Sequence, residues 1–245
     1  MAVPVDTFRT LHHDRAPGDP LVLPGPWDAA SARVFEEAGF PALATPSAGI
    51  AASLGYEDGS TPAEEMFAAV TRIVRAVSVP VSADIESGYG LAPKELVARV
   101  LDTGAVGINL EDSVDGVLKD PRRHADWLAE VRAEAGDRLF LNARVDTFVR
   151  GSADPVTAAI TRARLYVAAG ADCVYPILAP PEALPELRAA IDGPLNAFAG
   201  PDGSSVRTLG EAGATRITFG PGLQRAAMAS LAEAARELTP RPFGP

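Results

Sequence analysis

"VSADIESGYG", residues 81–90, is a short apolar run that ends in two acids, Asp84 and Glu86, and passes at once into a glycine-rich turn. Carboxylates are costly in a core unless something compensates them. A strand that finishes this way therefore opens its C-terminal end onto a site. Working outward from it, similar apolar runs recur at 20–24, 41–45, 79–84, 105–110, 138–142, 172–177, 194–198 and 215–219. Their shortness and unbroken apolar character suit parallel strands buried on both faces.

Amphipathic segments with helix boundary signals separate these runs. In "TPAEEMFAAVTRIVRAV", Thr61 is the expected N-cap and Pro62 the first helical residue, with Met66, Val70, Ile73 and Val77 one turn apart. "DAASARVFEEAG" opens on Asp28 and stops at Gly39, and "DPVTAAITRARLYVAAG" opens on Asp154 and stops at Gly170. Further helices fit 93–103, 122–135, 181–190, 204–212 and 222–238. Eight strand–helix units in a chain of 245 residues predict an α/β fold, a (β/α)8 TIM barrel. No linker or shift in composition divides it, so residues 1–245 read as one domain.

The net charge is −10, which disfavours nucleic acid and anionic membrane surfaces as partners. The opening "MAVPVDTFRTLHHDRAPGDP" lacks the apolar core of a signal peptide, and no run is long enough to span a membrane. The lone Cys173, within "DCVYPI", reads as a buried strand residue. His12, His13 and His124 read as solvated. A cytoplasmic location is expected.

Barrel catalysis sits at the C-terminal ends of the strands. There the sequence places Asp28; Thr45, Ser47, Ala48 and Gly49; Glu57 and Asp58; Asp84 and Glu86; Glu111 and Asp112; and Asn142, Arg144 and Asp146. Strands six to eight end in Tyr175–Pro176, Phe198 and Gly220, which are less polar and bring no evident second cation. So many carboxylates at one mouth repel one another unless a cation neutralises them. Oxygen donors without Cys or paired His point to Mg²⁺ or Mn²⁺. Arg144 on the facing wall suits a small organic acid. Plainer roles exist for several of these groups: Asp28 and Asp154 as helix caps, Asp58 in an Asx turn, Arg144 and Asp146 as a structural ion pair.

The stretches "WDAASARVFEEAGFPAL", "LGYEDG", "ADIESGYG", "INLEDS", "NARVD" and "AGADCVYP", in this order from about Pro24 to Ala234, resemble the isocitrate lyase and phosphoenolpyruvate mutase superfamily. The resemblance implies a barrel that binds Mg²⁺ and a 2-oxo acid or its enolate. It makes Asp84 the direct metal ligand, with Asp58, Glu86 and Glu111 holding metal-bound waters. It gives Ser47 and the amides of Ala48 and Gly49 the substrate carboxylate or enolate oxygen, and Arg144 a further oxyanion contact; Arg144, Ser47 and Glu111 form the expected catalytic set. It also implies a last helix exchanged between subunits of a homodimer or dimer of dimers.

The chain departs from the family in places. Glu86 stands where the family usually has Asp. The region "EDSVDGVLKDPRRHADW" has neither the cysteine loop of the lyase branch nor the Asn of the mutase branch, and Pro176 falls near the mutase His. The leading expectation is a Mg²⁺-dependent carbon–carbon lyase or decarboxylase acting on a small 2-oxo or 2-hydroxy carboxylate. Its alternatives are phosphoenolpyruvate or phosphonopyruvate chemistry, and a 2-oxo-acid binding protein with little turnover. A phosphosugar barrel using "GPDGSS" and "FGPGLQ" leaves the acids unexplained, and Pro221 removes an amide such a cradle needs.

Overall fold

The computed structural model describes residues 4–13, 15, 16, 18–200 and 203–238. Pro201 and Asp202 of the "GPDGSS" stretch and the chain beyond residue 238 lie outside the described residues.

The barrel strands are β1 (Leu21–Val22), β2 (Leu43–Ala44), β3 (Val81–Asp84), β4 (Gly107–Glu111), β5 (Phe140–Val145), β6 (Cys173–Pro176), β7 (Asn196–Phe198) and β8 (Arg216–Thr218). Neighbours pair in parallel from β2 through β6, and again from β7 through β8 to β1. A parallel bridge between Val174 and Leu195 joins β6 to β7. The Ala44 amide donates to the Pro24 carbonyl at 3.1 Å, which completes the ring between β1 and β2. The expected α/β barrel is therefore present, with shorter first strands than the apolar runs suggested.

Alternation along each strand divides the side chains between two cores. Val81, Ala83, Ile108, Leu110, Leu141 and Ala143 face outward and pack under the helical jacket. Inward-facing Phe140 and Cys173 meet Leu21, Leu23 and Val106 in a smaller cluster at the strands' N-terminal ends.

A helix at Pro4–His13, absent from the sequence reading, closes that end. Its Phe8 and His12 rings pack on Phe140, with centroids 5.2 and 4.1 Å away. Arg9 anchors it by donating to the carbonyls of Asp137 (2.6 Å) and Leu139 (3.0 Å).

Three expectations change here. His12 is buried, with Nδ1 against the Phe8 carbonyl at 2.7 Å, and His124 is buried between Trp127 and Tyr166. Burial holds both rings neutral, lowering each pKa to about 3. The helix after strand two starts at Ala63 and stops at Val74, so Pro62 is its cap and Thr61 is a buried residue whose hydroxyl has no partner. The predicted strand 138–142 is shifted toward the C-terminus, since a 3-10 turn occupies Gly136–Arg138. Asp28 and Asp154 do cap their helices, accepting from the amides of Ser31 and Thr157.

Candidate active site

The C-terminal mouth of the barrel holds a cavity of about 440 Å³. Strand parity decides what reaches it. On β3, Ser82 and Asp84 point inward; on β4, Asn109 and Glu111; on β5, Asn142 and Arg144. Odd and even positions exchange faces, so Asp112, next to Glu111, turns outward. It is buried where Arg162 (2.9 Å) and the Tyr166 hydroxyl (2.8 Å) both donate to it, and it accepts from the Asp146 amide at 2.8 Å. Asp112 braces the strand ends and lies outside the cavity.

Asp84 is the centre of the site. Its Oδ2 accepts from the Ser47 hydroxyl at 2.7 Å and the Ser47 amide at 3.2 Å. Its Oδ1 accepts from Asn109 at 3.0 Å and from the Glu86 amide at 3.4 Å. Asn142 in turn donates to Asn109 at 2.9 Å. This chain of amides fixes the carboxylate from below.

Ser47 sits there because it is the first residue of the helix Ser47–Leu54, whose free N-terminal amides face the mouth. Ala48 also lines the cavity, whereas Gly49 is set back against Pro46 and Gln224, where an added Cβ would lie 2.9 and 3.6 Å from them.

Arg144 crosses the mouth. Its Nη1 forms an ion pair with Glu111 at 2.8 Å, and it donates from Nε to Asp146 Oδ1 at 2.7 Å and from Nη2 to Asp146 Oδ2 at 3.3 Å. Ser113 donates to the same Asp146 carboxylate. The structural pairing of Arg144 with Asp146 and its presence in the cavity are thus both true.

The loop after β3 is strained. Glu86 (φ 50°) and Tyr89 (φ 54°) are in the left-handed region that non-glycine residues avoid. Gly88 (φ 91°) passes so close to Trp127 that a Cβ would lie 3.0 Å from its ring. Lys119 ties this loop to the end of β4, donating to the carbonyls of Ser87 (3.3 Å) and Glu111 (3.2 Å). It follows a short hairpin, Ser113–Val114 and Val117–Leu118, at the place where the cysteine was missing from the sequence.

The acids are incompletely compensated. Burial, reinforced by Asp84, raises the Glu86 pKa to about 7, and the neighbouring Tyr89 hydroxyl offsets part of the rise. Burial raises Glu111 to about 8 despite Arg144, with Asp84 adding to the rise. Asp58 also lines the cavity. Among the described residues no three His, Cys, Asp or Glu side chains converge closely enough to chelate an ion directly.

A pH dependence follows. Folded Glu86 and Glu111 hold protons that the unfolded chain releases near its ordinary carboxyl pKa. Between that value and about 8 the native state therefore binds more protons, and stability falls as pH rises. We expect the melting temperature in chelator to drop between pH 5.5 and 8.5 more steeply than that of Glu86→Gln. Equal slopes in a thermal-shift series would contradict this.

The cavity also contains residues that strand-end reading missed. Arg150, Arg216 and Arg225 line it, correcting the expectation of no second cation. Arg216 starts β8, and only its inward parity could have flagged it. Arg225 belongs to the first turn of the helix Gly222–Leu238.

The phosphoenolpyruvate phosphomutase family model matches residues 8–239. A Mycobacterium tuberculosis protein of uncharacterised function is 36% identical over 235 residues, covering 95% of this chain and 89% of the relative. A Burkholderia cenocepacia crystal structure, described as a candidate phosphonomutase, superposes with a TM-score of 0.89 at 38% identity, covering 96% of this chain and 98% of the other. The crystal structure of 2,3-dimethylmalate lyase gives a TM-score of 0.85 at 26% identity, covering 97% and 88%. The chain belongs to the phosphoenolpyruvate phosphomutase family, within the superfamily shared with isocitrate lyase, and is an enzyme of that type.

Proposed function

We propose that the chain is a Mg²⁺- or Mn²⁺-dependent carbon–carbon lyase or decarboxylase that stabilises the enolate of a small 2-oxo carboxylate. The observation that carries this reading is the carboxylate set of Asp58, Asp84, Glu86 and Glu111 gathered at one cavity. A cation suits that set: Asp84 would hold it directly, and Asp58, Glu86 and Glu111 would accept hydrogen bonds from its waters. When bound, such an ion supplies positive charge to the oxygens of an enolate.

The protein's own groups then have definite tasks. Asp84 already accepts four hydrogen bonds, the full capacity of an ionised carboxylate. Asp84 would have to give up some of these partners to hold a cation, and Ser47, released from it, would have its hydroxyl and amide available for a substrate carboxylate. Asp146 takes hydrogen bonds from Nε and Nη2 of Arg144, while Nη1 pairs with Glu111 by charge; the N–H groups not spent on Asp146 would be available to an oxyanion. The apolar lining from Val149, Ile177, Leu178 and Phe198 limits water around it. Kinship with a 2,3-dimethylmalate lyase supports cleavage of a carbon–carbon bond. Phosphonopyruvate chemistry is the second reading, favoured by the additional arginines at the mouth.

The experiment is calorimetry of pyruvate, oxaloacetate and longer 2-oxo dicarboxylates with Mg²⁺ and with chelator. Binding should require the ion, and turnover should release pyruvate or a related 2-oxo acid. Binding of equal strength in chelator sinks the metal reading; release of orthophosphate selects the alternative.

A dimer or dimer of dimers, built by exchange of the helix Gly222–Leu238, is part of the same proposal. Its support is an apolar stripe left exposed on that helix: Met228 (42%), Leu231 (60%) and Leu238 (84%). Sedimentation should give at least a dimer at micromolar concentration, and Leu231→Glu should shift it toward monomer. A wild-type monomer refutes the exchange. Among the described residues no helix is long and apolar enough to cross a membrane.

A further inference from the structure

We propose that the Tyr175 hydroxyl is the group that delivers a proton to the enolate carbon, doing the work of the cysteine this chain lacks. This rests on the reading of the site as an enolate-forming one. The inference starts from which groups at the cavity carry a transferable proton. No histidine, cysteine or lysine lines it among the described residues. Glu86 and Glu111 do line it, but both belong to the carboxylate set that would receive the cation's waters and would be ionised beside it, and the Ser47 proton is directed at Asp84. Thr45 and Ser82 are aliphatic alcohols, far weaker acids than a phenol. Cys173, on the same strand as Tyr175, is fully buried in the lower cluster and does not reach the cavity.

Tyr175 is suitably placed. It pairs in register with Arg144 on the adjacent strand, so both side chains point into the barrel. It lines the cavity and is 5% exposed, so it is shielded from bulk solvent. The groups facing it are Arg144 on β5, Asp84 on β3, and Thr218 and Arg216 on β8. Burial pushes the phenol up to about 12, so it is protonated at neutral pH. The guanidinium charges of Arg144 and Arg216 favour the phenolate, and the Thr218 hydroxyl, which donates to Asn196 at 3.3 Å, could turn to it.

Arg216 is suited to this supporting task. It is 1% exposed, has no carboxylate partner within ion-pair distance among the described residues, and its guanidinium meets the neutral His12 ring at 3.5 Å and the Phe8 ring, 5.9 Å from its centroid. A buried cation without a counter-charge favours whatever anion forms beside it.

The step balances as follows. The substrate carbon–carbon bond breaks and its electron pair becomes the enolate. The other fragment leaves as carbon dioxide, or as a carbonyl compound whose hydroxyl proton passes to water. The Tyr175 O–H bond then breaks and its proton forms the new C–H bond. The phenolate takes a proton back from water.

The reverse of the last transfer supplies a test that needs no knowledge of the true substrate. In D₂O with Mg²⁺, the wild type should exchange the methyl protons of pyruvate, followed by proton NMR, with a rate that rises with pH as phenolate forms. Tyr175→Phe should slow this exchange 100-fold or more, within the range of general acid–base catalysis. Calorimetric affinity for pyruvate with Mg²⁺ should stay within threefold. Should the phenylalanine variant fold poorly, fluorotyrosine at position 175 keeps the hydroxyl and lowers its pKa, and the pH profile should move to lower pH with it. Wild-type exchange in Tyr175→Phe, an unmoved profile with fluorotyrosine, or pyruvate bound with Mg²⁺ but never exchanged by the wild type would each overturn the assignment. Absence of any Mg²⁺-dependent binding would instead bring down the enolate reading itself, and this inference with it.

Discussion

Asp84→Ala should abolish Mg²⁺-dependent ligand binding while leaving the barrel folded. Asp84 ends β3, its backbone amide donates to Thr45 at 3.1 Å, and both neighbouring strand pairings are made by backbone groups that the substitution leaves intact. What disappears is the carboxylate at the centre of four hydrogen bonds. The Ser47 hydroxyl and the Asn109 amide lose their acceptor, yet both border a cavity that water can fill. The stability cost should therefore be small, about 1–3 kcal/mol. Loss of a group that merely orients a metal ligand typically costs 10- to 100-fold in affinity, so roughly that factor is the minimum for a direct ligand. Glu86→Ala and Asp58→Ala, acting through waters, should be milder. Calorimetry with Mg²⁺ on folded variants, checked by circular dichroism, ranks the three. If Asp84→Ala binds the ion as tightly as Glu86→Ala does, the ion is not on Asp84.

Much of this site could be read from sequence because its acids lie at strand exits, where a carboxylate interrupts an apolar run. Asp84, Glu86 and Glu111 were visible for that reason, and the structure brings all three to one cavity together with Asp58, Ser47 and Arg144. What escaped was whatever depends on pleat parity or on long-range packing. Glu111 and Asp112 are adjacent and both acidic, yet only the first faces the cavity; the second is committed to Arg162 and Tyr166, residues 50 and 54 positions away. Arg216 was passed over because it sits at the start of a strand, where a cation reads as a solvated flank. The N-terminal helix is short and has a polar sequence. Only the aromatic floor supplied by Phe140 accounts for Phe8 and His12 being buried.

Arg144 is where stability and binding are most tightly joined, and its replacement should affect both strongly. Its guanidinium spans Glu111 on one side and the fully buried Asp146 on the other. Arg144→Met leaves the buried Asp146 and the Glu111 carboxyl without their shared cation, and removing one partner of a buried ion pair costs about 3–5 kcal/mol. That loss should be largest at high pH, where both acids are charged, and should shrink below about pH 7 as Glu111 takes up a proton. Arg144→Lys tests geometry apart from charge. A lysine ammonium has three donors at one point, so it can satisfy Glu111 or Asp146 and cannot hold the planar fork between them. It should retain part of the stability yet lose the N–H groups not spent on Asp146 that would meet a ligand. A hydrogen bond between charged groups contributes about 1.5–3 kcal/mol, so the affinity for a 2-oxo acid with Mg²⁺ should fall tenfold or more. Thermal unfolding across pH 6 to 9, paired with calorimetry on both variants, separates the two effects. A lysine variant that binds pyruvate as the wild type does would mean that Arg144 only braces the barrel mouth and that another cation of the cavity, Arg150 or Arg225, meets the ligand.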